Sequence, residues 1–442
     1  MLLAALFACR PAEVPALSVA PSAWVPSVPV ATFAADGPAW VEVQREGEAP
    51  ARVDAVVRDG QATAALIGLP AGEALVLVPH VGEAAGDPVD WAVAAAPPLL
   101  DAAPPVVGAG SVLADGLVMA AVVDLDASGV GVWDGDGRLV WWVLVDPAWT
   151  AASPRPSRDG TGVAFAINDR ARDTDEQQLV TVAWDGSVRT ERATPLAHHV
   201  VVELDEGEIA WPAWDIREVS WDGGSANVLS DTLRVGTGDG DGRVVLSFFD
   251  DRGPPFVPCS HGLLPDERLG VPVYEWTHAN SLVWLPDRDR LILGARLLDA
   301  VLAVDRRTGA VAWQLGGVQG TLALDPADAS SHGHFSDAWD GGLLMFDNGA
   351  HHEPQVSRVV EYAVDEAAGT AVADWVLDDP DGRFLSYLGD ARRLPDGSVL
   401  LATGQYGTLE EVGRDGVRRW QLQLPPGAVV GRAWALQGPP WE

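Results

Sequence analysis

Lysine is absent from this chain; all 29 basic residues are arginines. That excludes Schiff-base chemistry and a Walker-type phosphate loop, both of which need a lysine amine. Cysteine is nearly absent. Only Cys9 and Cys259 occur in 442 residues, so neither a disulfide framework nor a cysteine-based zinc site can be assembled. No stretch reads as a long, capped amphipathic helix, and no apolar run is long enough to span a bilayer. Positive charge is scarce: 29 basic residues face 63 acidic ones, a net charge of −34. Nucleic-acid phosphates would be repelled, and so would anionic lipid. Nucleic acid is therefore not an expected partner, and the acidic surface serves solubility.

What is present points to strands. Hydrophobic residues make up 48 %, enough for a large core, and 47 glycines with 33 prolines suit many turns between short strands. The first expectation is an all-β protein. The N-terminus, "MLLAALFACRPAEVP", places Leu6-Phe7-Ala8 before Cys9 and resembles the lipobox of bacterial lipoproteins. On that reading residues 1–22 are a lipoprotein-type signal and tether. Cys9 is then acylated, the only membrane contact is this lipid anchor, and the location is the bacterial cell envelope, periplasm-facing or at the surface. Residues 23–97 alternate as "PAWVEVQRE", "ARVDAVVRD" and "EALVLVPHV". They are expected to form a small β-sandwich of fibronectin-III or Ig-like type. Residues 98–107 read as a linker.

The remainder, 108–442, repeats. An Asp/Gly turn followed by Trp recurs in "DGDGRLVWW" (134–142), "DRRTGAVAWQL" (305–315), "DEAAGTAVADW" (365–375) and "RDGVRRWQL" (414–422). Strand–acidic turn–strand phrases open each unit. A period of 40–45 residues built of strands is the mark of propeller blades. Six are expected, at roughly 108–145, 158–192, 197–232, 276–316, 334–378 and 388–424. A lone four-stranded blade cannot bury either apolar face, whereas a ring buries both. The long insert 233–275 is expected over one mouth of the channel, where ligands bind.

Eight of the nine histidines fall in the repeats. His199, His278 and His334 each precede a hydrophobic strand in blades 3, 4 and 5, and Arg296 interrupts the next strand of blade 4. The first strand of each blade lines the channel, so these four side chains are expected to ring one pocket. The plainer alternative is a set of satisfied structural histidines. "HGH" (332–334) and "HH" (351–352) could combine into a transition-metal site, though no metal is assigned. "GDGDG" (238–242) lacks the later Glu of an EF-hand and reads as a solvated turn.

The run "WTHANSLVWLPDRDRLILGARLLDAVLAVDRRTGAVAWQLGG" (276–317) resembles bacterial arylsulfotransferases of the nucleotide-independent kind. "HFSDAWDGGLLMFDNG" (334–349), "GDARRLPDGSVLLATGQYGTLEEVGRDGVRRW" (389–420) and "GRAWAL" (431–436) continue the resemblance. It implies a six-bladed propeller after a small β-domain. It also implies transfer of a sulfuryl group from an aryl sulfate to a phenol through a sulfohistidine, with no cofactor. By this resemblance His278 and Arg296 in blade 4 and His199 in blade 3, with His198 adjacent, bind the sulfuryl oxygens. A histidine opening blade 5 accepts the group. The family's His-Asp-Ala is Ser336-Asp337-Ala338 here, which leaves His334, two residues earlier, as the candidate nucleophile, and His332 or Ser336 as alternatives. A neutral imidazole is a good acceptor near pH 7, and a fixed arginine fork suits an oxyanion. A non-catalytic envelope binding or scaffolding propeller is the competing reading. A quinoprotein dehydrogenase would need the "DRRTGAVAWQ" repeat in most of eight blades, and one good copy is present.

Overall fold

The computed structural model describes residues 16–221, 224–253 and 266–441. Cys9 and Cys259 lie outside the described residues. The N-terminal strands run in the order Ser18–Pro21, Pro29–Ala34, Gln61–Ala65, Ala51–Arg58, Ala39–Gln44, Ala74–Val81, with Val89–Ala92 also paired to the last. Ala51–Arg58 joins two halves: its first residues pair with Ala39–Val43, its last with Gln61–Thr63. Alternating residues such as Ala31, Phe33, Val41 and Val43 point into one apolar core, as period-two patterning requires.

The rest is a ring of six sheets. Its closure is not a tandem count. The innermost strand of blade 1 is the C-terminal Val429–Leu436, paired antiparallel to Leu117–Val123. Before the ring begins, Val106–Val107 add a fifth strand to the outer edge of blade 6. Both ends of the ring segment are thereby stitched into a blade formed by the other end, which closes the ring. The segment expected as a linker is docked: Leu99 and Leu100 are buried in the core shared by blades 1 and 6. Blade 2 starts at Trp149, earlier than its sequence pattern indicates, because its inner strand Trp149–Pro156 carries a bulge at Ser153-Pro154 that hides the alternation. Blade 3 is the irregular one. Its central hairpin, Ile209–Trp221 with Gly224–Gly236, is long. Its outer strand is Arg243–Ser247, so the front of the expected 233–275 insert is blade, not lid. The "GDGDG" turn joins these last two strands.

The repeated tryptophans have a common task. Trp141 Nε1 donates to Trp184 O (3.0 Å), Trp313 Nε1 to Glu366 Oε1 (3.0 Å), Trp375 Nε1 to Arg414 O (3.3 Å) and Trp420 Nε1 to Gly135 O (2.9 Å). Each indole sits in the outer half of one blade and bonds the next, and Trp420 closes blade 6 onto blade 1. A large apolar ring with one polar edge fits such a seam, because the N–H must find a partner when buried.

Candidate functional site

The inner strands of all blades start at the same end of the channel, and there they enclose a cavity of about 560 Å³. His199, His278, Arg296 and His334 all line it, so the four residues singled out from the sequence meet. His198 lines it too. Its walls also carry Trp214, Tyr387, Arg172, Arg268 and Arg432, with Asp169, Asp266 and Glu275 among them.

The backbone explains the meeting. His278 precedes the inner strand Ala279–Leu285, and Arg296 follows the second strand Arg290–Ala295. Arg296 N donates to His278 O (3.1 Å) and Leu297 N to Thr277 O (3.1 Å), which ties the two turns side by side. His199 and His278 have φ of 62° and 52°, the left-handed region that costs a non-glycine residue on the order of 1 kcal/mol or more. His332 (φ 57°) and Leu388 (φ 58°) hold the same conformation just before the inner strands of blades 5 and 6. The repeated position in blade 5 is therefore His332, yet the imidazole in the cavity is that of His334. A bulge between His334 and Asp337, against Phe346 and Leu344, accommodates the shift. Ser336 lies within that bulge.

Hydrogen bonds fix the state of His334. Asn348 Nδ2 donates to Leu385 O (2.8 Å) and to Leu388 O (2.9 Å), spending both of its amide hydrogens. Its Oδ1 must then accept, and it lies 2.7 Å from His334 Nδ1. The Nδ1 therefore carries the hydrogen, and Nε2 is left with its lone pair. Burial, with the positive charge of Arg296 added, holds the His334 pKa well below its usual value, so the ring is neutral at pH 7. His199 is likewise held well below its usual value, by burial and then by His278 and His198.

Second contacts steady the other groups. His198 Nε2 is 2.6 Å from Asp231 Oδ1, and His198 Nδ1 is 2.7 Å from His199 Nδ1. Asp231 Oδ2 accepts from Thr277 Oγ1 and from Ala279 N, both at 2.6 Å. One buried carboxylate thus anchors His198 and the turn bearing His278. His278 Nδ1 lies 2.9 Å from Glu275 Oε2. Burial alone would raise Glu275, but His278, Arg268 and His198 outweigh it and hold its pKa at about 2. Arg296 Nη2 donates to Ser386 O (3.0 Å). Gly389 lines the cavity at φ 103°, where a Cβ would lie 2.4 Å from the Phe346 ring.

The candidate metal residues split. His332 is absent from the cavity lining and packs edge-on against His351 (4.6 Å between centroids). His332, His351 and Asp299 bring donor atoms within 4.8 Å of one another, and they are the residues that could hold an ion among those described. His334 faces the cavity instead, and His352 pairs with Asp347 (2.8 Å). Asn348, Asp231 and Glu275 are the supporting residues that sequence reasoning missed. Asn348 stands in the quoted "FDNG", but nothing local signals its partner.

Residues 110–418 match the arylsulfotransferase (ASST) family. No curated protein sequence matches the chain. Solved structures of similar shape share little sequence. A Bacteroides caccae protein of unknown function is 11% identical, over 73% of this chain and 99% of that one, with a TM-score of 0.43. TolB from Acinetobacter baumannii is 12% identical over 83% and 80%, with a TM-score of 0.40. A catalytically inactive virginiamycin B lyase from Staphylococcus aureus is 10% identical over 73% and 98%, with a TM-score of 0.38. The family match spans most of the ring, including every blade that contributes a histidine to the cavity, and the chain belongs to the arylsulfotransferase family, transferases of sulfur-containing groups that act on aryl sulfates.

Proposed function

We propose that sulfuryl transfer proceeds through a sulfohistidine at His334 Nε2. The observation that carries this reading is the hydrogen-bond chain through Asn348, which supports a lone pair on that nitrogen inside the cavity. In the first half-reaction Nε2 forms a bond to sulfur. The bond from sulfur to the aryl oxygen breaks, and the phenolate leaves with the electron pair. In the second, the oxygen of an acceptor phenol attacks sulfur, the S–N bond breaks, and Nε2 recovers its lone pair. The acceptor's hydroxyl proton ends on the first phenolate, so one aryl sulfate and one phenol exchange a sulfuryl group.

The planar, SO₃-like species between the two halves spreads charge over its oxygens. Arg296, His278 and His199 are placed around the cavity to donate to those oxygens. His198, itself held by Asp231, steadies the His199 ring through the contact between their Nδ1 atoms. Fixed donors of this kind stabilise developing charge without reorganising. Trp214 and Tyr387 offer aromatic surface to the aryl group.

The test is a single-turnover experiment with a fluorogenic aryl sulfate and no acceptor. Intact mass is expected to rise by one SO₃ group, mapped to His334 and discharged by added phenol. An adduct at His332 or at Ser336, or no adduct with released phenol absent, rejects the assignment. For the N-terminus we propose acylation at Cys9 and an envelope location. Detergent phase separation of the expressed chain, compared with Cys9→Ser, tests it: the variant is expected to leave the detergent phase.

A further inference from the structure

A second chamber, of about 310 Å³, lies at the opposite ends of the inner strands. That is the lower end of the range for small-molecule sites. Its wall carries four arginines, Arg155, Arg158, Arg392 and Arg432, and one carboxylate, Glu203, with Trp284 and Trp434 between them. Such an excess of cations is unexpected on a chain of net charge −34.

Contacts with aromatic rings, with carbonyl oxygens and, for Arg158 and Arg432, with a carboxylate hold these guanidinium groups in place. Arg392 lies flat on Trp434, 3.6 Å from the ring centroid. Arg158 covers Trp284 at 4.8 Å, and at the half-exposed rim it pairs with Asp205. Arg432 crosses the channel from blade 1. It donates to Asn280 O (2.7 Å), Ser281 Oγ (2.9 Å) and Phe335 O, with Asp390 at 3.6 Å. Arg155 follows the Ser153-Pro154 bulge of blade 2 and donates to Val201 O. Among the described residues no carboxylate lies within ion-pair distance of Arg155. The one acid of the wall, Glu203, accepts from the Arg158 backbone N–H (2.9 Å). Burial lowers the Arg155 pKa to about 10, with Arg432 and Arg392 adding to the fall and Glu203 opposing it, which still leaves the group charged at pH 7. A desolvated cation without a counterion is costly, and an anion in the chamber removes that cost.

We propose that this chamber is a second anion-binding site, taking a small oxyanion of the sulfate class, free or carried on an aryl group. Blades 6, 1 and 2 supply its cations, whereas blades 3, 4 and 5 supply the histidines at the other mouth. Ser153 and Arg432 line both chambers, so the two sites adjoin across them. Binding here does not require the histidine chemistry to operate.

Isothermal titration of the folded full chain with sodium sulfate in a low-salt zwitterionic buffer is expected to show two sites. Arg296→Ala removes one and leaves the other. Arg155→Gln weakens the second about tenfold or more, the scale of a lost charge-assisted hydrogen bond. Arg158→Ala, at the rim, weakens it about threefold, as expected for a half-exposed charge. Should Arg155→Gln fail to fold, the rim variant decides. Phenyl sulfate competing with sulfate at the second site marks the ester as occupant, and sulfate binding without such competition marks the free ion. A single wild-type site, a second site that neither substitution weakens, or phenol binding there as tightly as phenyl sulfate overturns the proposal. Turnover is not read, so this result stands or falls separately from the sulfohistidine.

Discussion

The two ends of the channel are made from the same inner strands, yet they hold charge differently. At the strand starts, arginines are interleaved with Asp169, Asp266 and Glu275, and His334 and His199 are kept neutral by burial. At the strand ends, four arginines and one carboxylate line the chamber, with Asp205 paired to Arg158 at the rim and Asp390 3.6 Å from Arg432. The first end keeps a base available; the second keeps a positive field. Position along a strand, more than residue type, decides which chemistry a side chain can do, because it sets the depth and the neighbours.

Four experiments sharpen this contrast. His334→Ala is expected to lower aryl sulfate turnover about a thousandfold or more, since the proposed nucleophile is gone. Steady-state release of a fluorogenic phenol measures it, and a variant within tenfold of wild type breaks the assignment. Arg296→Ala should cost about 10²–10³ in kcat, the range for one lost oxyanion donor. Arg296→Lys should recover little, because a point charge does not reproduce the fork. Asn348→Ala frees the His334 ring to adopt either tautomer. A loss of about ten- to a hundredfold in kcat is expected, with KM changed less. A positioning residue should also alter the pH profile, which a purely structural loss would not.

Stability provides a smaller but informative effect. His334 and His199 have pKa values lowered on folding, so the unfolded chain binds more protons than the native chain once pH falls below about 6.5. Stability from these groups is full above that pH and is lost on acidification, by up to about 1.4 kcal/mol per pH unit for each histidine. Melting temperature should therefore fall between pH 7.5 and 5, and His334→Gln should flatten the slope. Glu275 acts in a separate window, since its lowered pKa contributes stability that disappears only as pH falls from about 4.5 towards 2.

Much of the ring was legible locally. The Asp/Gly-turn-then-Trp phrase is a hairpin followed by an anchor, and the period of that phrase counts blades. The indoles of Trp313, Trp375 and Trp420 latch successive blades, so the repeat was read for a pattern whose physical cause is inter-blade hydrogen bonding. Blade 2 was misplaced because a bulge breaks alternation, and blade 3 because its hairpin overruns the usual strand length. The gathering of His199, His278, Arg296 and His334 was legible because all four sit beside strand ends of blades 3 to 5, although His334 stands two residues past the repeated position held by His332.

The sequence by itself determined the strand-rich class, the number of blades and the residue types that can carry charge at the axis. These follow from short-range patterns of hydrophobicity, turn residues and spacing. Only the tertiary structure decided that the C-terminal strand completes blade 1, that His334 and not His332 enters the cavity, and which nitrogen of His334 holds the proton. It also decided that four arginines share one chamber. Each of these depends on groups tens to hundreds of residues apart meeting in a low-dielectric interior, where a single hydrogen-bond partner fixes a tautomer and a missing counterion becomes costly.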